Sequence, residues 1–204
     1  ALVNTASNYD NVGFVTGKVY FYDKKNVFQT CGKYYDSTFW RGKNIGKYEV
    51  DNGQYDEEIE LQWCDDIYWL INKNLYFQTG GYDTEFRFES EDFDWQVRAK
   101  NAGYKIYYSP LAKLWHKDSM TIGKNSAFKA YYDFRNPLIV HFKYRNYNEY
   151  KYYYKLKRNN LFKFSLKLII HLKFYYLLKC WQGFMSAISW GYKNDKISFS
   201  EIFI

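Results

Sequence analysis

Two adjacent acids, Glu91 and Asp92, and a lone histidine, His116, lying 24 residues beyond Asp92, have the types and order that suit group transfer. Ser90 is a natural helix cap and Gly103 a natural helix stop, so the spacing predicts a helix over about 91–102 with both acids in its first turn. Acids in a first turn also meet the positive end of the helix dipole, a purely structural gain of roughly 0.3–1 kcal/mol. Helical spacing separates the two acids. Glu91, Asp94, Trp95 and Arg98 share one face, where Asp94 and Arg98 make an i, i+4 pair, whereas Asp92 lies with Gln96 and Ala99, away from that cation. A carboxylate so placed is free to take the proton of an attacking hydroxyl, which is a poor nucleophile until a base withdraws it. His116 ends an apolar strand; a single imidazole with no other ligand at local spacing does not make a metal site, and a hydrogen-bonded strand end is its plain alternative.

The elements that must hold these groups are legible in outline. Val12 to Tyr22 alternates, is rich in β-branched and aromatic residues, and contains Gly13 and Gly17, which reads as a strand with a bulge or close backbone approach. Asn26 to Thr30 reads as a second strand, and Cys31 to Glu60 as a long aperiodic loop. Ile67 to Ile71 suits a short buried strand, and Asn74 to Thr79 a helical turn stopped by Gly80-Gly81. Tyr104 to Ser109 and Ala112 to Trp115 are strand-like on either side of Pro110. A helix over Ser126 to Tyr144 follows, which Pro137 is expected to kink or divide.

The motifs occur in a telling order: Gly80-Gly81-Tyr82-Asp83, Glu91-Asp92-Phe93-Asp94, Arg98, Ala102-Gly103-Tyr104, Pro110, Trp115-His116 and Tyr131-Tyr132-Asp133-Phe134-Arg135-Asn136. This series resembles the second half of the catalytic domain of family 2 glycosyltransferases, over roughly residues 10 to 145, and is most similar to the branch that transfers rhamnose or galactofuranose-type sugars. Thr84 stands where that family more usually has Glu. The resemblance implies an α/β fold, the C-terminal part of a GT-A mixed sheet flanked by helices. It implies an inverting transfer from a nucleotide-sugar donor to a glycan or lipid-linked acceptor in bacterial cell-surface polysaccharide synthesis. Asp92 becomes the base, with Glu91 as helper or alternative, and His116 a ligand to Mn²⁺ or Mg²⁺. Asp65 or Asp66, Trp95 and Arg135 become candidate acceptor contacts, against the plainer roles of solvated loop acids, core indole and packing residue. No Asp-x-Asp precedes residue 92, so the expectation is an acceptor-side half that lacks its donor half, binds no metal tightly and does not turn over alone.

Charge placement divides the chain at about residue 150. Residues 1–150 carry 19 Lys/Arg against 20 Asp/Glu, and residues 151–204 carry ten against two. The expected division is a domain over 1–145 and a basic, aromatic helical tail over 146–204. Lys163, Lys167, Lys173 and Lys179 interrupt the apolar stretch Leu161–Trp181, leaving no run near the ~18 residues a span requires. Long-stemmed lysines among aromatics suit a helix in the headgroup region of an anionic membrane; packing against the domain or a second copy is the alternative. Three scattered cysteines suggest a reducing compartment, and Ala1 to Asp10 carries no signal-peptide pattern, so the expected place is the cytoplasmic face of a bacterial plasma membrane. A nucleic-acid module and a non-catalytic membrane-peripheral scaffold are the competing classes. The first is disfavoured because the basic residues sit in an apolar tail and no RNA-binding aromatic motif occurs, so no nucleic acid is expected as a partner.

Overall fold

The computed structural model describes residues 1–117 and 126–198, and the chain divides into two compact units. The first holds Ala1–Thr84 together with the segment from Glu91 through the last strand; the second holds Glu85–Ser90 and the helices that follow.

The first unit is mixed α/β. Its central strand β1 (Val12–Phe21) runs parallel to β7 (Lys105–His116) and antiparallel to β2 (Lys24–Thr30). Strand β5 (Ile59–Leu61) pairs antiparallel with β7, and β6 (Leu70–Ile71) with Phe14 and Val15 of β1. Every residue of β1 but Phe21 is buried, as a central strand covered on both faces must be. Val12, Val15 and Tyr107 form one cluster, covered by Leu2 and Ala6 of α1 (Leu2–Ser7) and by Leu70. Phe14 meets the indole of Trp95 edge-on at 5.3 Å, which seats helix α3 (Glu91–Asn101) on the strand. Strand β7 is continuous through Pro110. The pairing slips between Gly17↔Ser109 and Lys18↔Lys113, so the residues around the proline are absorbed in a bulge. A Cβ at Gly17 would stand 2.3 Å from the Ala112 carbonyl oxygen, which is the close approach that the glycine pattern of β1 anticipates.

Two expectations fail in this unit. The segment Cys31–Glu60 is not an unstructured loop, because β3 (Lys33–Asp36) and β4 (Trp40–Asn44) form a two-stranded hairpin within it. Ile67–Ile71 is not a buried strand: only Leu70 and Ile71 pair, and both are half-buried. Helix α2 (Lys73–Thr79) begins at Asn72, whose side chain accepts from the Asn74 amide at 2.8 Å. Helix α3 ends in a Schellman arrangement, with the amides of Gly103 and Tyr104 donating to the carbonyls of Lys100 and Ala99.

A buried lysine crosses from β1 to the loop before β5. Lys18 donates to Asp51 at 3.0 Å and also binds Asp56, while the Tyr20 hydroxyl donates to Asp51. Burial works against the Asp51 charge, but bonds from Tyr20, the Gly53 amide and Lys18 outweigh it and lower its pKa.

The second unit is three helices, α4 (Ala127–Tyr144), α5 (Tyr147–Ile170) and α6 (Phe174–Lys193), with the segment Glu85–Ser90. Asn146 and Glu149 form a reciprocal capping box at the start of α5. Pro137 neither divides nor ends α4. A proline removes the amide that would bond the carbonyl four residues back, and Lys157 of α5 approaches that carbonyl, on Asp133, at 3.3 Å. Leu138, Ile139, Val140 and Phe142 of α4 and Cys180, Phe184, Ala187 and Ile188 of α6 are buried. The boundary expected at 145 therefore falls elsewhere: α4 belongs with the tail helices it packs against, and the last six residues of the expected tail lie outside the described ones. Asn136 donates to the carbonyls of Phe88 and Glu89, pinning the short segment to α4.

Close approach of α4 and α6 rests on Gly183, where a Cβ would stand 2.0 Å from the Tyr131 carbonyl oxygen. Helix propensity alone favours alanine by about 1 kcal/mol, whereas forcing backbone apart costs about 1–3 kcal/mol. Gly183→Ala is therefore expected to lower the urea midpoint of the second unit, and an unchanged or raised midpoint would contradict this packing. Asp51 gives a pH test. Its folded pKa lies below the ordinary value of 3.8, so its contribution is present above that value and lost as pH falls through the lower one. Asp51→Asn should cost stability at pH 7, with the difference from the parent shrinking toward pH 2 in denaturant titrations.

Candidate active site

Asp92 is the second residue of α3 and is 6 % exposed. The expectation that it lacks a cation is overturned. Arg41, from β4, grips it with two nitrogens: Nη1 donates to Oδ1 at 3.0 Å and Nη2 to Oδ2. The Phe93 amide also donates to Oδ1 at 2.7 Å. A carboxylate offers about four lone-pair sites, so these three bonds leave one open on Oδ2. Arg41 simultaneously donates to the Cys64 carbonyl at 2.7 Å and to Asp65 at 3.2 Å. Burial works against its charge, but the carboxylates of Asp92 and Asp65 outweigh that and raise its pKa.

Gln96 fixes the neighbouring loop. Fully buried on the same helical face as Asp92, it accepts from the Cys64 amide at 2.8 Å and donates to the Cys64 carbonyl at 3.0 Å. One side-chain amide thus satisfies both backbone groups of Cys64, which sets Asp65 and Asp66 beside the start of α3. Trp63 secures the same loop by donating to the Trp40 carbonyl at 2.9 Å. Asp66 is exposed and accepts from the Tyr82 hydroxyl at 2.8 Å. Partial covering of its carboxyl, then the charge of Asp92, push the Asp66 pKa up.

The Asp94–Arg98 pair is more than a surface i, i+4 contact. Asp94 is fully buried, and Arg98, held by it at 2.8 Å, donates to the carbonyls of Thr79 and Gly81. It thereby clamps the Gly80-Gly81 turn, and with it Tyr82, to α3. Trp95 is 3 % exposed, T-stacked on Phe14 and Tyr82, and its Nε1 donates to Thr79. Trp95 is thus a core indole, and the exposed ring beside it is that of Tyr82. Glu91 is half-buried at the helix start.

His116 lies at the end of β7, where Nδ1 meets Gln29 Oε1 at 3.0 Å. It is joined to the acids through a run of polar contacts: Lys33 binds Asp65 at 3.1 Å and Asn44 Oδ1, and Asn44 donates to the Gln29 carbonyl at 3.2 Å. Burial pushes the Lys33 pKa down, opposed by Asp65. Among the described residues no three His, Cys, Asp or Glu side chains gather closely enough to hold a metal ion. His116 brings one imidazole to this region.

Arg135 belongs to the second unit. It binds Glu85 through both carbonyl and carboxylate, Ser186 at 3.1 Å and Asn136 at 2.7 Å. Its guanidinium ties Glu85–Ser90 to the helices, in keeping with the plainer packing role. The site residues that sequence reasoning missed are Arg41, Gln96, Lys33 and Tyr82. A signal for Arg41 was present: with six Arg among 29 basic residues, an arginine inside an aperiodic, acid-rich stretch is conspicuous.

Removing one partner of a buried ion pair strands the other charge, at a cost of about 3–5 kcal/mol. Arg41→Met should destabilise the first unit by that order in urea unfolding, and adding Asp92→Asn should recover a large part of the loss. A loss under about 1 kcal/mol, or no recovery in the double variant, would show that the pair is not buried as described.

A scan against models of known protein families finds no match, and a search of curated proteins finds no relative.

Proposed function

We propose that the first unit is the acceptor-activating part of an inverting glycosyltransferase similar to family 2, with a GT-A-type sheet. It would act with a nucleotide-sugar donor on a glycan or lipid-linked acceptor. One observation carries this reading: Arg41 holds Asp65 and Asp92 at the start of α3, Gln96 fixes the Cys64 backbone of the same loop, and Asp66 accepts from the exposed ring of Tyr82. Sugars are bound by just such a combination, an aromatic face for the apolar side of the ring and carboxylates for its hydroxyls.

In this reading the roles divide by exposure and bonding. Tyr82 receives the acceptor ring and Asp66 accepts one of its hydroxyls. The reacting hydroxyl gives its proton to Asp92 through the lone pair left open on Oδ2, as its oxygen attacks the anomeric carbon and the nucleoside diphosphate departs. Arg41 holds Asp92 in place through two nitrogens, so that the base is oriented before substrate arrives. Asp65 balances the guanidinium, and Lys33 balances Asp65.

The test is turnover by the gene product that contains this chain, assayed with a panel of nucleotide sugars and lipid-linked or glycan acceptors. Asp92→Asn should lower kcat by about 10²–10⁴, the usual worth of a positioned base. Tyr82→Ala should raise KM for the acceptor with a smaller effect on kcat. Turnover unaffected by Asp92→Asn, or absent with every donor, would defeat the proposal.

A further inference from the structure

The turn between α5 and α6 carries a concentration of apolar side chains that the fold does not bury. Ile170 is 77 % exposed and Leu172 74 %, and Leu166, Phe174, Tyr175 and Leu178 are each more than half exposed. Large apolar residues scattered singly over a surface need no explanation; six within thirteen residues at one helix turn do. The opposite faces of the same helices are committed to packing, since Leu161 and Leu168 of α5 and Cys180 and Phe184 of α6 are buried.

Charge identifies what covers this tip. From residue 150 to residue 194 there is no Asp or Glu, while Lys163, Lys167, Lys173 and Lys179 surround the apolar group in sequence. Among α4, α5 and α6 lies an open cavity of about 570 Å³, lined by Lys157, Lys163, Lys167, Asn160 and Tyr176, with Asp133 as its one acid. Burial lowers the Lys157 pKa, with Asp133 opposing, so an incoming anion would favour the charged amine. No helix among the described residues is long and apolar enough to cross a membrane. Apolar tips ringed by lysine without acids match the boundary of an anionic bilayer, where acyl chains lie beneath a layer of phosphates.

We propose that the α5–α6 turn docks on an anionic lipid bilayer, its apolar tip entering the headgroup boundary while Lys157, Lys163 and Lys167 take a lipid phosphate. The geometry is that of a tip pressed into the surface by two antiparallel helix ends, not of one helix lying along it. This surface belongs to the second unit and stands independently of the sugar-transfer reading.

The experiment is co-sedimentation of the 204-residue chain with phosphatidylcholine vesicles that contain or lack phosphatidylglycerol. Binding should require the anionic lipid and weaken with added salt. Ile170→Glu with Leu172→Glu, at exposed positions that leave the helices intact by circular dichroism, should reduce partitioning at least tenfold. Lys163→Gln and Lys167→Gln should each reduce it about fivefold, the factor that one basic residue near an anionic surface contributes. Inorganic phosphate, titrated alone, separates headgroup from free ion: equal phosphate binding by parent and tip variant, with no vesicle binding, would overturn bilayer docking. So would vesicle binding indifferent to the tip substitutions, or a concentration-dependent dimer that those substitutions dissolve while vesicles go unbound.

Discussion

Arg41 brings a positive charge into the interior of the first unit, and nothing around it could be arranged as it is without that charge. Its guanidinium spans a carboxylate at the head of α3, a carboxylate in the loop before β6 and the carbonyl of Cys64. Burying Asp92 or Arg41 singly would be strongly unfavourable, because an unpaired buried ion costs about 3–5 kcal/mol, a large share of the roughly 5–15 kcal/mol that stabilises a typical domain. Together they couple a hairpin, a loop and a helix that are far apart in sequence. Gln96 completes the coupling in neutral form by matching both backbone groups of Cys64.

The same logic recurs in smaller arrangements. Arg98 with Asp94 fastens the Gly80-Gly81 turn to α3, Lys18 with Asp51 and Asp56 fastens a loop to β1, and in the second unit Arg135 with Glu85 fastens a short segment to α4. Each is a charge that leaves its own element to satisfy another's backbone or carboxylate. The packed aromatic residues supply the apolar stability, and these polar ties determine where the loops rest. At the site their consequence is chemical: Asp65 and Asp92 stay close because Arg41 and Lys33 sit among them.

How much of this could be seen in the sequence depends on range. Helix α3, its acidic first turn and its glycine stop are local, and they appear within a residue of where spacing puts them. The central strand and its crowded Gly17 were legible for the same reason. The β3–β4 hairpin was not, since its Lys, Tyr, Trp and Asn residues follow no clean alternation and none of them is fully buried. Arg41 and Asp92 lie 51 residues apart, and no period along the chain joins them. Pro137 misled in the other direction, because the carbonyl it orphans finds a lysine on another helix. Trp95 shows the limit of residue type as a guide: an aromatic beside acids can stack on sugar, and here it is simply interior.

The account turns on the aspartates at the head of α3 acting as one electrostatic unit, with Asp66 as its open member. Site-resolved carbon-13 NMR titration of the aspartate carboxyls measures this directly. Asp66 should titrate above the ordinary value of 3.8, and Asp92→Asn should move it downward as the neighbouring charge is removed. An Asp66 that titrates at the ordinary value and ignores the substitution would show that these acids do not share a site, and the proposed chemistry would lose its foundation.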